Sequence, residues 1–374
     1  MSSDTHSNEV HLSNVHKGIA SLRPYQAGKP IDELARELGL DNIVKLASNE
    51  NPRGPGARVQ TAINGELGAL SRYPDGNGYV LKQALKIHLD VDSSQITLGN
   101  GSNDVLDLIA RVALEPGYEA IISQHSFVVY RLAVTCVGGT LVTVPAKNFG
   151  TDLTAMAAAV TDKTRLIFIA NPNNPTGTWV THAALEKFLQ EIPERVWVVL
   201  DEAYVEYAQN PAYPNALELL KKHANLIVTR TFSKVHGLAS LRVGYGLSSP
   251  EFADMLNRAR QPFNVNSIGL AAAAAALSDQ EYVSQSVALN ITGMRQIEAG
   301  LSALGLEFID SLGNFVSFDC GYASHLVFDA LLKKGVIVRP IAEYGLPQHI
   351  RVSIGLADEN QRFLDMLPDV LASL

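Results

Sequence analysis

Lys234 and Arg242 stand eight residues apart in TFSKVHGLASLRVGYG, the stretch from Thr231 to Gly246, with Ser233 beside the lysine. An apolar run ending in Thr-Phe delivers Ser233 and Lys234 to a strand end, and Gly237 relieves the backbone behind them. A lysine held on a rigid element, poorly solvated and near another cation, has its ammonium form disfavoured and becomes a nucleophilic amine. A serine hydroxyl and a planar guanidinium suit a phosphate. Taken alone, a Ser-Lys pair describes a surface lysine and a structural arginine; other residues of the chain change that balance.

Three further stretches could do chemistry with it. In ITLGNGSND, Gly99 and Gly101 allow a tight turn into a helix, so the amides of Ser102, Asn103 and Asp104 point out of its N-terminus toward an anion. RLIFIANPNNPTG is an apolar strand breaking into a loop that holds Asn174, at a strand end where open α/β sheets bind ligands. VWVVLDEAY is a buried strand ending in Asp201, with Tyr204 three residues on. An unaccompanied aspartate there would cap the next segment; Lys234 follows it in the chain. Arg339 ends GVIVR and Arg351 stands in HIRVSIG, each by itself an ordinary surface ion-pair partner.

Taken together, TFSKVHGLASLRVGYG and NPNNPTG resemble the pyridoxal-phosphate-dependent fold-type-I aminotransferases, from about Leu22 to about Gly355. SKVHGLASLRVGYG is most similar to the branch that acts on histidinol phosphate. The resemblance implies an α/β fold with a mostly parallel central sheet flanked by helices, plus a smaller α+β domain. It implies pyridoxal 5'-phosphate bound at Lys234, with Asp201 keeping the pyridine nitrogen protonated so that the ring withdraws electrons. Asn174 and Tyr204 would meet the phenolic oxygen, Phe127 would stack on the ring, and Ser102, Asn103, Ser233 and Arg242 would hold the phosphate. Tyr73 would reach the phosphate of the neighbouring subunit, making a homodimer obligatory. Tyr25, Asn49, Arg339 and Arg351 would bind substrate. The implied reaction is reversible amino transfer between histidinol phosphate and 2-oxoglutarate, with no metal. Aromatic amino-acid transamination by the same residues stays open, as does decarboxylation by a related enzyme. A non-enzymatic regulatory module is disfavoured, because too few residues precede Leu22 for a DNA-binding domain. Two positions depart from the family pattern: His236, where many relatives carry tyrosine or phenylalanine, and Arg53, an unusual charge in NENPRGPG.

These side chains need elements to carry them. Residues 1–16 are polar and expected to form a mobile tail; His6, His11 and His16 recur every five residues, which suits no helix face and makes a metal site unconvincing. Pro30 starts a helix with Ile31, Leu34, Ala35 and Leu38 on one side and Gly39 as its stop. Residues 17–45 are expected to join the small domain, residues 46–262 to form the large domain, and residues 263–374 the small one. Strands and helices alternate from Val80, and an alanine run from Ala271 to Ala276 suggests close helix packing.

With 374 residues, 47% of them hydrophobic, the chain is long enough for a large core and a second domain. A net charge of -8 argues against nonspecific nucleic-acid or anionic-membrane binding. The polar start is unlike a signal peptide and no apolar run reaches the ~20 residues of a membrane span, so the cytoplasm is expected. Cys136 and Cys320, each in an apolar context, are expected to be buried and reduced.

Overall fold

Alternation along the central strands explains the layering in the computed structural model, which describes residues 15–22, 24 and 28–374. In Thr164–Ala170, Ile167 and Ile169 enter one apolar cluster while Leu166, Phe168 and Ala170 enter another. In Trp197–Asp201, Val198 and Leu200 take the first side and Val199 the second. Successive side chains of a strand point to opposite faces, so a sheet buried on both faces reads as a continuous apolar run.

The sheet has seven strands. Their order is Ile96–Gly99, Gly244–Leu247, Leu226–Thr231, Trp197–Asp201, Thr164–Ala170, Glu119–Ser123 and Thr140–Val144. Neighbours are parallel except Gly244–Leu247, which runs antiparallel to both of its partners. Parallel strands put their C-terminal ends on one edge, where Asp201, Asn171 and the Ser233-Lys234 turn come together.

A second body is built on a four-stranded antiparallel sheet of Arg339–Pro340, His349–Ser353, Phe315–Asp319 and Phe308–Ile309. The helices Ser324–Lys333 and Ala357–Ala372 close its core of Val316, Phe318, Val327, Ile350, Val352 and Phe363. Val44–Lys45 pairs in parallel with Val336–Ile337, and Leu34 packs with Ala47 and Ile337.

Several expected boundaries move. The Ser267–Leu277 helix was expected in the small domain, yet Leu270, Ala272, Ala273 and Ala276 lie in the large body's core, against the helices Ala57–Glu66 and Tyr79–Leu89. It is apolar on every side, so its periodicity could not show which body it faces. The helix Gln280–Ala303 then bridges the bodies, with Val283 and Val287 near Tyr204 and with Met294, Ile297 and Leu301 in the small core. Lys17–Ser21 packs on the large-body helix Val128–Cys136, so residues 17–45 do not all belong to the small body. His16 accepts from the Ile19 amide at 3.4 Å and caps that helix; residues 1–14 of the expected tail, with His6 and His11, lie outside the described residues.

Cys320 is buried, but Cys136 is exposed, and both are free. Tyr130, Ala133 and Val134 form the buried side of the Val128–Cys136 helix, and position 136 falls off that face. Among the described residues no helix is long and apolar enough to cross a membrane.

Candidate active site

Where the parallel strands end, a cleft of about 250 Å³ opens between the two bodies. Every expected site residue except Tyr25 and Tyr73 lines it. Tyr25 lies outside the described residues. Tyr73 is 82% exposed and stacks on Phe263 with centroids 4.8 Å apart, away from its own chain's cleft.

Lys234 follows the Leu226–Thr231 strand. Its Nζ donates to the Ser48 carbonyl at 3.2 Å and lies 5.5 Å from the centroid of the Tyr204 ring. Burial lowers its pKa to about 8, helped by the positive charges of Arg351 and Arg242 and opposed by Glu50 and Asp201. The lysine can therefore supply a neutral amine close to neutral pH.

Asp201 is 5% exposed. Tyr130 Oη donates to its Oδ2 at 2.7 Å and Thr229 Oγ1 to its Oδ1 at 3.0 Å. Burial pushes this carboxyl up, while the two hydroxyls and the Lys234 charge pull it back. Asn174, in the loop after Thr164–Ala170, accepts from Arg351 Nη1 at 2.5 Å, and Arg351 Nη2 donates to the Ala47 carbonyl at 2.6 Å.

Asn49 has a left-handed backbone, φ 54°, and is almost wholly buried. Its amide N–H donates to Ser353 Oγ at 2.8 Å, its carbonyl accepts from Asn314 Nδ2 at 3.0 Å, and its own Nδ2 donates to Tyr204 Oη at 3.0 Å. A strained residue so heavily tied is held for its side-chain direction. Phe127 precedes the Val128–Cys136 helix and meets Tyr130 edge-on.

An anion cup forms at the start of the Ser102–Ala113 helix. Gly101 has φ 83°, and a β-carbon there would run into the Arg242 guanidinium; one on Gly244 would strike the Ser102 backbone nitrogen. Arg242, itself left-handed at φ 55°, donates to Ser233 Oγ at 3.3 Å and to the Ala239 carbonyl at 3.0 Å. Asp104 does not offer a free amide as expected: its N–H donates to the Gly101 carbonyl at 3.2 Å, and its carboxylate accepts from the Asn100 amide and from Asn264 Nδ2, each at 2.8 Å.

The small body contributes Arg339 and Arg351, directly opposite each other on adjacent antiparallel strands. Arg339 also donates to Glu343 at 2.6 Å. Two like charges placed cross-strand repel, so their pairing here favours an anion between or beside them. The two departures lie outside the cleft lining. His236 is buried on Phe232 and 3.9 Å from Glu206, and burial lowers its pKa to about 4. Arg53 ties its loop to the long helix, donating to the Tyr282 carbonyl at 3.0 Å and lying over the Tyr282 ring.

Sequence reasoning missed Tyr130, Thr229, Ser353 and Asn314. Tyr130 stands in the mostly apolar stretch FVVYRLAV, which gives its hydroxyl no local signal, and the others make contacts across long chain separations. Only Thr229, the first polar residue after the apolar run of residues 226–228, carried a local signal.

The family model for aminotransferase class I and II matches residues 41–367. A histidinol-phosphate aminotransferase 2 of Pseudomonas fluorescens strain Pf0-1 is 57% identical over 96% of this chain and 98% of its own. A protein of the same name from Pseudomonas aeruginosa is 56% identical over the same shares. A crystal structure of histidinol-phosphate aminotransferase from Sinorhizobium meliloti in complex with pyridoxal-5'-phosphate superposes with a TM-score of 0.90 at 34% identity, covering 96% of this chain and 98% of that one.

Proposed function

The chain belongs to the aminotransferase class I and II family, and on that premise we propose that it transfers an amino group reversibly between L-histidinol phosphate and 2-oxoglutarate, giving imidazole acetol phosphate and glutamate. This is a step of histidine biosynthesis. The observation that carries the reading is the poorly solvated Lys234 amine, in one cleft with a buried Asp201 and with cations from both bodies.

The residues present fit pyridoxal 5'-phosphate. The glycine surfaces at Gly101 and Gly244 keep the cup open for a phosphate, with Ser102, Asn103, Ser233 and Arg242 as its donors. Asp201 is a buried carboxylate suited to a protonated ring nitrogen, Phe127 offers a ring face, and Asn174 and Tyr204 offer polar groups for the phenolic oxygen. When bound, this group supplies an aldehyde that condenses with amines and a protonated ring that withdraws electrons from the substrate carbon.

The chain's own residues do the rest. Lys234 holds the cofactor as a nucleophilic amine, and once displaced by the substrate amine its Nζ acts as the base that moves the substrate α-proton. Asp201 keeps the ring nitrogen charged. Arg351, with Arg339, takes the phosphate of one substrate or a carboxylate of the other, since a guanidinium fork accepts both. Asn49 orients Tyr204, and Asn174 is oriented by Arg351.

The large body thus carries the cofactor and the small body the substrate anion. Tyr25 is assigned to the substrate mouth. A homodimer, working in the cytoplasm, completes the site: Tyr73, exposed and remote from its own cleft, is assigned to the phosphate of the neighbouring subunit's cofactor.

The reading is tested by measuring glutamate formed from histidinol phosphate and 2-oxoglutarate. Lys234→Ala is expected to fold normally and to lose turnover by more than about a thousandfold; an active Lys234→Ala protein would sink it.

A further inference from the structure

Behind the cleft, one side chain touches two of the groups assigned to the cofactor ring. Tyr130 is fully buried and does not line the cleft. Its Oη donates to Asp201 Oδ2 at 2.7 Å. Its ring lies parallel to Phe168, 6° between planes and 4.7 Å between centroids, and meets Phe127 edge-on at 5.9 Å and 86°. Full burial and these two ring contacts hold the phenol in place.

Asp201 is so deeply buried that desolvation alone favours its neutral acid. A neutral Asp201 could not pair with a charged ring nitrogen. Hydrogen bonds donated to the ionised form oppose that cost. Among the described residues each carboxylate oxygen has one such donor, Tyr130 on Oδ2 and Thr229 on Oδ1. The phenol keeps its own proton, since burial and the nearby carboxylate hold it well above its ordinary range.

Resting on the function proposed above, we propose that Tyr130 is a positioning residue for the cofactor ring: its hydroxyl keeps Asp201 ionised as the partner of the ring nitrogen, and its perpendicular ring contact sets the plane of Phe127. It acts through these two side chains and touches neither substrate nor cofactor. Thr229 supports the first role from the other oxygen.

Binding of pyridoxal phosphate, compared with its 1-deaza analogue, separates this role from simple packing. The analogue has a carbon in place of the ring nitrogen and gains nothing from an ionised Asp201. The unaltered protein is expected to prefer pyridoxal phosphate. Tyr130→Phe, which keeps the ring and its stacking, is expected to weaken pyridoxal phosphate roughly tenfold or more, the value of a hydrogen bond to a charged group. It is expected to leave the analogue's affinity unchanged, so the preference collapses.

Equal weakening of both ligands, or no weakening of either, would overturn the proposal. Circular dichroism checks the fold, and should Tyr130→Phe fail to fold, Thr229→Val carries the same comparison with the same expected collapse. An unaltered protein that takes up no pyridoxal phosphate would overturn the functional reading and this proposal together; uptake with an unchanged preference in the variants would overturn this proposal alone.

Discussion

At the scale of single residues, Lys234 sets the chemistry, and its charge state follows from where the chain puts it. Burial and two arginines favour the neutral amine, so its pKa falls from an ordinary 10.5 to about 8. In the protein freed of cofactor, labelling of Lys234 by an amine-reactive reagent, followed by peptide mass analysis, is expected to be half-maximal near pH 8: protonated and inert below, neutral and reactive above. A midpoint at the value of the surface lysines would mean that the cleft does not desolvate it. The lysine, Asn174 and Arg242 were legible in the sequence because each sits in a local stretch whose glycines, prolines and strand end mark a special backbone. Tyr130 was not, because the partner of its hydroxyl, Asp201, lies seventy-one positions later. Ser353 and Asn49 are 304 positions apart, and no local pattern reports such a pair.

At the scale of elements, the site depends on how closely the sheet edge meets the Ser102–Ala113 helix. Gly244 and the Ser102 nitrogen are in such contact that a β-carbon has no room, and the obstacle is backbone rather than a movable side chain. Gly244→Ala is therefore expected to cost about 1–3 kcal/mol of stability, as overpacking does, and to weaken pyridoxal phosphate binding as the cup closes. Thermal unfolding and a binding titration check both. The strands themselves were readable from their apolar runs, and the helix starts from their glycines and prolines. Two readings failed for one reason: context sets the packing of an all-apolar stretch. The alanine-rich Ser267–Leu277 helix went to the large body, and Cys136, amid apolar neighbours, turned outward at the last position of its helix.

At the scale of the whole molecule, the active site needs both bodies and, in the proposed function, two copies of the chain. The large body brings Lys234, Asp201 and the anion cup; the small body brings Arg339 and Arg351 from neighbouring strands. If Tyr73 serves the other subunit, Lys234→Ala and Tyr73→Ala chains, each impaired alone, should regain activity when unfolded and refolded as a mixture, because a mixed dimer holds one site with neither change. A mixture no more active than its better parent would mean that Tyr73 does not serve the other subunit's site. The central claim, an amine-exchanging site built on Lys234 and selective for histidinol phosphate, is tested most directly by absorbance of the protein loaded with pyridoxal phosphate. Histidinol phosphate is expected to bleach the visible band at far lower concentration than phenylalanine does, with 2-oxoglutarate restoring it. A band indifferent to histidinol phosphate, or bleached as readily by phenylalanine, would contradict the account.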